Sequence, residues 1–192
     1  MSMWWAIAWL GCSGEAGPVV VAERVQGIAA APAKIEKGPD FCDTWTPEAQ
    51  AKPFQWPTLD AAAPAEPGTW RWIDVWATWC GPCIAEMPML EGWQQKLAAE
   101  GVSHEFVLLS VDADARDLRK HYLKRPEFRA SQHLANGADL APWFATNGVP
   151  EGTAIPLSLF VDPKGRLRCQ RAGALQEHDY ASVKDLLSGG SP

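Results

Sequence analysis

The sequence has no excess of positive charge. Its 192 residues include 17 Lys and Arg against 23 Asp and Glu, which gives a formal net charge of -6. Because such a chain has no positive field to grip phosphate groups, nucleic acid is not an expected partner. Hydrophobic residues make up 47% of the chain, enough to bury one sizeable core. We therefore expect one folded domain.

The amino terminus lacks a hydrophobic run long enough to span a bilayer. Residues 1–12 read MSMWWAIAWLGC, which is typical of an export signal. Leu10-Gly11-Cys12 resembles the lipobox of bacterial lipoproteins, where cleavage leaves Cys12 as the lipid-bearing first residue. A non-acylated signal peptide and a misplaced start codon are the alternatives. Each case predicts an extracytoplasmic protein, in the bacterial periplasm or anchored to a membrane as a lipoprotein.

The cysteines and histidines form no recognisable metal-ligand set. There are five Cys and four His, and Cys80-x-x-Cys83 has no second pair or Cys/His cluster at zinc-ligand spacing. Covalent haem attachment requires His after the second cysteine, where Ile84 stands. We therefore predict no metal and no cofactor.

The pattern along the chain predicts a tether followed by one α/β domain. Residues 13–52 have no sustained helical or strand period and are interpreted as a tether, so the folded domain is expected at 53–192. The pattern then predicts strands at 70–76, 106–111, 157–161 and 167–171. It predicts a helix through the apolar positions from Ile84 to Leu97, which Gly101 breaks, and further helices at 115–123, 138–145 and 179–187. Alternating strands and helices favour a sandwich of helices around a central mixed sheet.

The chemistry concentrates in Trp79-Cys80-Gly81-Pro82-Cys83, at a predicted strand-to-helix junction. A helix start supplies partial positive charge and free N–H groups, which favour thiolate over thiol. The thiolate is the attacking species in disulfide exchange. Cys80 is therefore predicted to attack a client disulfide, and Cys83, one turn further into the helix, to resolve the mixed disulfide.

This stretch resembles the active site of thioredoxin. The longer pattern Cys80-Gly-Pro-Cys-Ile-Ala-Glu86-Met-Pro88 is similar to the membrane-anchored TlpA-like and ResA-like thiol-disulfide oxidoreductases. The resemblance covers roughly residues 53–187 and implies a thioredoxin-like three-layer α/β sandwich. Proline removes a helix hydrogen bond, and Pro88 falls where the first helix of these proteins is kinked.

Two acidic residues carry over from the resemblance. Asp74 falls where thioredoxin has a buried acid, which implies a raised pKa and a role in taking the proton from Cys83. Glu86 matches an acid of the ResA-like pattern and is expected to tune the same thiols. The alternatives are a strand residue facing solvent for Asp74 and a solvated helix residue for Glu86.

The resemblance also implies a client-binding surface around the dithiol. Thioredoxin-like folds have a cis-proline immediately before a central strand, and Ile155-Pro156 fits that place better than Pro150, which a loop follows. A cis bond leaves the backbone of Ile155 free to pair with an extended client chain. Trp79, Gly81 and Pro82 complete the expected surface, and the insertion at 125–147 is expected to help shape it.

Cys42 and Cys169 remain once Cys12, Cys80 and Cys83 have been assigned. An even remainder in an oxidising compartment is consistent with a structural disulfide that pins the end of the tether to the sheet. Two free or buried thiols are the alternative.

The predicted function is the reduction of client protein disulfides outside the cytoplasm. The resemblance implies clients of the cytochrome c maturation or copper-site assembly type, and a membrane protein as electron donor. Gly81-Pro82 resembles the dipeptide of reductants. Two alternatives stay open: a Cu(I)-binding module for metal delivery through Cys80 and Cys83, and a disulfide oxidant or isomerase.

Overall fold

The structure is a computed structural model, and it describes residues 36–64, 68–125, 131–134 and 140–189. The predicted export signal, Cys12 and the first part of the tether lie outside the described residues. No helix within the described ranges is both long and apolar enough to cross a bilayer.

Six described strands and four described helices alternate along the chain. The strands are β1 (Thr44–Trp45), β2 (Trp70–Trp76), β3 (His104–Ser110), β4 (Gln132–His133), β5 (Leu157–Val161) and β6 (Leu167–Ala172). The helices are α1 (Gly81–Ala99), α2 (Ala115–Tyr122), α3 (Leu140–Thr146) and α4 (Tyr180–Leu187), the last preceded by a 3₁₀ turn at Glu177–Asp179. The bounds predicted for β2 and β5 are confirmed, whereas β1 and β4 were not predicted.

The strands form one mixed sheet in the order β1-β6-β5-β2-β3-β4. β2 lies near the middle, parallel to β3 and antiparallel to β5. All seven residues of β2 are buried, because apolar side chains cover the strand on both faces. The carboxyl end of β2 therefore lies next to the carboxyl end of β3 and the amino end of β5.

Helices pack on both faces of this sheet. One face carries a cluster that includes Ile73, Val75 and the α3 residues Trp143 and Phe144. The other cluster includes Trp72, with Trp93 and Leu97 of α1 and Val183 and Leu186 of α4. This arrangement of helices around a mixed sheet confirms the predicted three-layer α/β sandwich.

Residues 36–52, here called the N-terminal strap, pack against the sheet. Phe41 is buried against Phe160, with ring centroids 5.3 Å apart. β1 pairs with β6, placing Trp45 opposite Cys169, and Cys42 and Cys169 form a disulfide with Cα atoms 5.6 Å apart. The expectation that packed structure starts near Pro53 is therefore wrong.

Ion pairs also attach the strap to β6 and to the turn before it. Asp43 accepts from Arg171 at 3.1 Å, Glu48 accepts from Arg166 at 2.9 Å, and Glu36 pairs with Arg168. These contacts join residues more than 110 positions apart in sequence. No local hydrophobic period is needed to hold the strap, which is why the sequence pattern resembled a tether.

Candidate active site

The start of α1 presents the two cysteines of the motif. Cys80 is the N-cap residue with extended backbone geometry, and its Sγ accepts from the backbone N–H of Cys83 at 3.2 Å. Pro82 occupies the first turn, where its missing N–H leaves no unsatisfied bond. The sulfur of Cys80 therefore lies at the positive end of the helix dipole, the environment that stabilises a thiolate after reduction.

The structure holds the motif in its disulfide form. Cys80 and Cys83 are bonded through their sulfurs, with Cα atoms 5.3 Å apart. Cys80 is 4% exposed and Cys83 is fully buried, while Trp79 before them is 68% exposed. Gly81 and Pro82 are also exposed, so the motif is open to solvent on the side of Trp79 and the first turn of α1.

Asp74 lies on the sheet face that α1 covers. Side chains alternate along a strand, so Asp74 shares a face with Trp72, whose ring lies 6.2 Å from that of Trp93 in α1. The carboxyl is fully buried, and neither of its oxygens has a hydrogen-bond partner among the described residues. Burial, together with the negative charge of Glu86, raises the pKa of Asp74 well above its ordinary value.

Glu86 occupies α1 one turn after Cys83 and points into the same interior. It is 7% exposed; one carboxyl oxygen, Oε2, accepts from the backbone N–H of Leu175 at 2.9 Å. Within the described part of the chain the other oxygen, Oε1, has no partner. Burial raises the pKa of Glu86 to about 7, against the opposing effect of the Leu175 hydrogen bond.

The raised pKa values of Asp74 and Glu86 change the pH range in which these buried carboxyls can accept a proton. A base is most effective when its pKa is close to the working pH, because it is then present in the ionised form and still holds a proton well. Ordinary carboxyls are too acidic for this at neutral pH. Asp74 and Glu86 are therefore a pair of buried carboxyls that keep their protons to higher pH than exposed carboxyls do.

The loop before β5 lies at the same edge of the sheet as the dithiol. The Ile155–Pro156 peptide bond is cis, and Leu157, the next residue, pairs with Val75 near the end of β2. Ile155 is half-buried and packs against the apolar cluster that contains Cys80 and Cys83. The structure thus places Ile155 and Pro156 at the same edge of the sheet as the dithiol.

Sequence reasoning missed a hydrogen-bonded anchor for the turn that precedes Cys80. Asp112, buried at the end of β3, accepts from Thr78 Oγ1 at 2.6 Å and from Thr78 N at 3.1 and 3.2 Å. Its Oδ2 also accepts from Ser110 Oγ at 2.7 Å. The sequence did hold a signal for this contact, since Asp112 directly follows the apolar strand predicted at 106–111. Parallel strands end at the same edge of a sheet, so an acidic residue at that point is expected near the end of β2.

No cluster of three or more His, Cys, Asp or Glu able to hold a metal ion occurs in the ranges that the structure describes. The sulfurs of Cys80 and Cys83 form a disulfide, the bond that thiol-disulfide exchange makes and breaks.

Several known proteins resemble this chain in sequence or in fold. A thiol:disulfide interchange protein DsbE homolog of Paracoccus denitrificans is 30% identical over 125 residues, covering 61% of this chain and 58% of that protein. The thiol-disulfide oxidoreductase ResA of Bacillus thuringiensis subsp. konkukian is 27% identical over 96 residues, half of each chain. The crystal structure of a thioredoxin-related protein from Neisseria meningitidis serogroup B superposes with a TM-score of 0.52 and 25% identity, covering 63% of this chain and 86% of that one.

The chain has a thioredoxin-like fold, and its sequence is similar to DsbE and ResA thiol-disulfide proteins. No family model matches its sequence. This thioredoxin-like protein spans between half and three fifths of the length of the DsbE and ResA relatives named above. Its similarity to the DsbE and ResA proteins agrees with the resemblance found in the motif around Cys80.

Proposed function

We propose that this thioredoxin-like protein reduces disulfides of client proteins outside the cytoplasm. The observation that carries the proposal is the placement of Cys80 at the amino end of α1, bonded to Cys83, with the unsolvated carboxyls of Asp74 and Glu86 in the interior below. Similarity to DsbE and ResA thiol-disulfide proteins supports the reaction type.

The first step is attack by the Cys80 thiolate on a client disulfide. A new bond forms between Cys80 Sγ and one client sulfur, and the client S–S bond breaks. The second client sulfur leaves as a thiolate and takes a proton from solvent. The helix start lowers the free energy of the attacking thiolate, which is why the first cysteine of the pair is the nucleophile.

The second step releases the client. The thiol of Cys83 transfers its proton to the carboxylate of Asp74, and the resulting thiolate attacks Cys80 Sγ. The Cys80–Cys83 disulfide forms, the mixed disulfide breaks, and the remaining client sulfur leaves as a thiolate. Two electrons have then passed from the protein to the client. Glu86 acts on this step through its charge, because an ionised Glu86 makes Asp74 a stronger base.

Clients, electron supply and location complete the proposal. The names of the relatives and the export-like start of the sequence support a periplasmic or membrane-anchored protein, with Cys12 as a lipid attachment site. We infer clients of the cytochrome c maturation or copper-site assembly type. A membrane protein would return the oxidised dithiol to the reduced form.

Trapping of the mixed disulfide tests this function directly. Replacing Cys83 with Ser removes the second step, so reduced C83S should retain a covalently bound disulfide substrate such as insulin, while the wild type reduces it. The matched variant C80S should neither bind nor reduce the substrate. Mass spectrometry under non-reducing conditions measures both. Insulin reduction by C80S at the wild-type rate would overturn the proposal.

The redox potential of the dithiol tests the direction of exchange. A low value, near that of thioredoxin at about -270 mV, supports a reductant. A strongly oxidising value, on the order of -120 mV, would assign the protein to disulfide formation instead.

A further inference from the structure

His133 lies in β4, one of the two edge strands of the sheet, and each of its ring nitrogens contacts an oxygen atom. His133 of β4 is buried, and its Nδ1 lies 2.6 Å from Oδ2 of Asp60. Its Nε2 lies 2.8 Å from the backbone carbonyl oxygen of Asp112. The backbone of His133 adds a further bond, because its carbonyl accepts from Asp60 N at 3.0 Å. The ring therefore joins three segments that are far apart in sequence.

The carbonyl oxygen of Asp112 can only accept a hydrogen bond, so Nε2 of His133 is the donor in that contact. The contact between Nδ1 and the Asp60 carboxyl fixes the ring so that Nε2–H is directed at Asp112. Metal ligands and catalytic histidines are commonly oriented in this way by a carboxylate on the other nitrogen.

Asp112 connects this histidine to the dithiol. The same residue that accepts from His133 through its carbonyl accepts from Thr78 through its carboxylate. Thr78 lies two positions before Cys80, in a turn closed by the bond from Cys80 N to Ala77 O at 3.0 Å. Every link in the series Asp60, His133, Asp112, Thr78 is a hydrogen bond of 2.6 to 2.8 Å.

We propose that His133 and Asp60 are positioning residues for the attacking thiol. They fix the backbone of Asp112, whose carboxylate fixes the turn that delivers Cys80 to the helix start. This inference rests on the proposed function, since it assigns a task to residues that support the same dithiol. Small displacements of a reacting group are costly, so loss of the clamp should slow reactions of Cys80 on the order of tenfold.

The test compares a conservative and an apolar replacement of the histidine. Gln can still donate an N–H to the Asp112 carbonyl, whereas Leu of similar size cannot. Alkylation of Cys80 by iodoacetamide in the reduced protein, and the equilibrium of the dithiol with glutathione, are measured for H133Q and H133L. We expect H133L to react about tenfold more slowly and to shift the equilibrium toward the disulfide, with H133Q close to the wild type.

His104 provides a matched control on the opposite end of β3. Its two ring nitrogens also contact acceptor groups, at 3.2 Å to Val102 O and 2.7 Å to Gln94 Oε1. H104L should lose comparable hydrogen bonds and leave Cys80 alkylation unchanged. Asp60 gives a second route if H133L fails to fold, because its side chain is 48% exposed. D60A releases the ring without emptying the core and should slow alkylation in the same direction.

Three results would overturn the inference: wild-type alkylation and glutathione equilibrium in H133L, equal losses in H104L and H133L, or wild-type alkylation in D60A. Alkylation reports the position and ionisation of Cys80 whether or not a client is reduced. A wild-type protein that fails to reduce insulin therefore contradicts the proposed function alone, and an unchanged H133L contradicts this inference alone.

Discussion

Replacing Glu86 with Gln should make the folded protein more stable at neutral and alkaline pH. Burial raises the pKa of this carboxyl to about 7 from an ordinary value of 4.5. Each unit of difference between the folded and unfolded pKa corresponds to about 1.4 kcal/mol. Ionised Glu86 therefore costs the folded state on the order of 3 kcal/mol above pH 7, and that cost is absent when the group is protonated.

The sign of the pH dependence follows from proton binding. Between pH 4.5 and 7 the folded protein holds the Glu86 proton that the unfolded chain has already lost. Stability from this group is complete below pH 4.5 and is lost as the pH rises through about 7. Gln cannot ionise and its amide oxygen can still accept from Leu175 N. The variant E86Q should therefore gain about 3 kcal/mol over the wild type at pH 8 and much less at pH 5.

Urea unfolding of the oxidised protein at pH 5, 6, 7 and 8 measures this difference. E151Q is a suitable control, since Glu151 is exposed and its replacement removes the same charge. E151Q should change the free energy of unfolding by no more than about 0.5 kcal/mol at any of these pH values. The reasoning is refuted if E86Q is no more stable than the wild type at pH 8, or if its gain is the same at pH 5.

Two further variants test neighbouring parts of the account. Asp74→Asn keeps the shape of the buried side chain but cannot accept a proton, so release of client from the mixed disulfide should slow about 100-fold. The initial attack by Cys80 should stay near the wild-type rate. Stopped-flow or quenched-flow turnover separates the two steps, and an equal loss in both would contradict the role assigned to Asp74. The double variant Cys42→Ala with Cys169→Ala should lose about 3 kcal/mol or more of unfolding free energy, because the disulfide closes a loop on the order of 130 residues, and its Cys80 should be alkylated at the wild-type rate. Urea unfolding measures the loss of stability. Mass spectrometry before and after mild reduction counts the disulfides, and a native wild type with only one would contradict the pairing of Cys42 with Cys169.

The parts of the fold that sequence predicts well are those with a strong local signal. β2 is dense in aromatic and β-branched residues, β5 is a short run of mostly apolar residues, and the bounds of both strands were predicted without error. β1 and β4 are two residues long, so no period exists to detect. They form because longer strands beside them present unpaired backbone groups, which is a property of the assembled sheet.

The burial of Asp74 could not be predicted from the pattern of β2 itself. All seven residues of the strand are buried, so the alternation that normally separates a core face from a solvent face is absent. Only the resemblance to thioredoxin pointed to a buried acid. Burial under α1 raises the pKa of Asp74 most, and the charge of Glu86 in that helix raises it further. Sequence spacing alone does not bring Asp74 and Glu86 together.

The hydrogen bonds that link Asp60, His133 and Asp112 could not be predicted from the sequence either. Asp60 and His133 are 73 positions apart, and neither belongs to a recognisable motif. The four histidines are scattered along the chain, so no spacing between them drew attention to His133. The contacts of His133 with Asp60 and Asp112 form only when the folded chain places these three residues at one edge of the sheet.

The central claim is that the helix start makes Cys80 an ionised nucleophile near neutral pH. The most direct measurement is the rate of iodoacetamide reaction at Cys80 in the reduced protein between pH 5 and 10, followed by mass spectrometry of the Cys80 peptide. The account predicts a rate that titrates with an inflection at about 7 or lower, as expected for a thiol in a Cys-x-x-Cys motif at a helix amino terminus. An inflection at or above about 8.5, the value of a free cysteine, would contradict it.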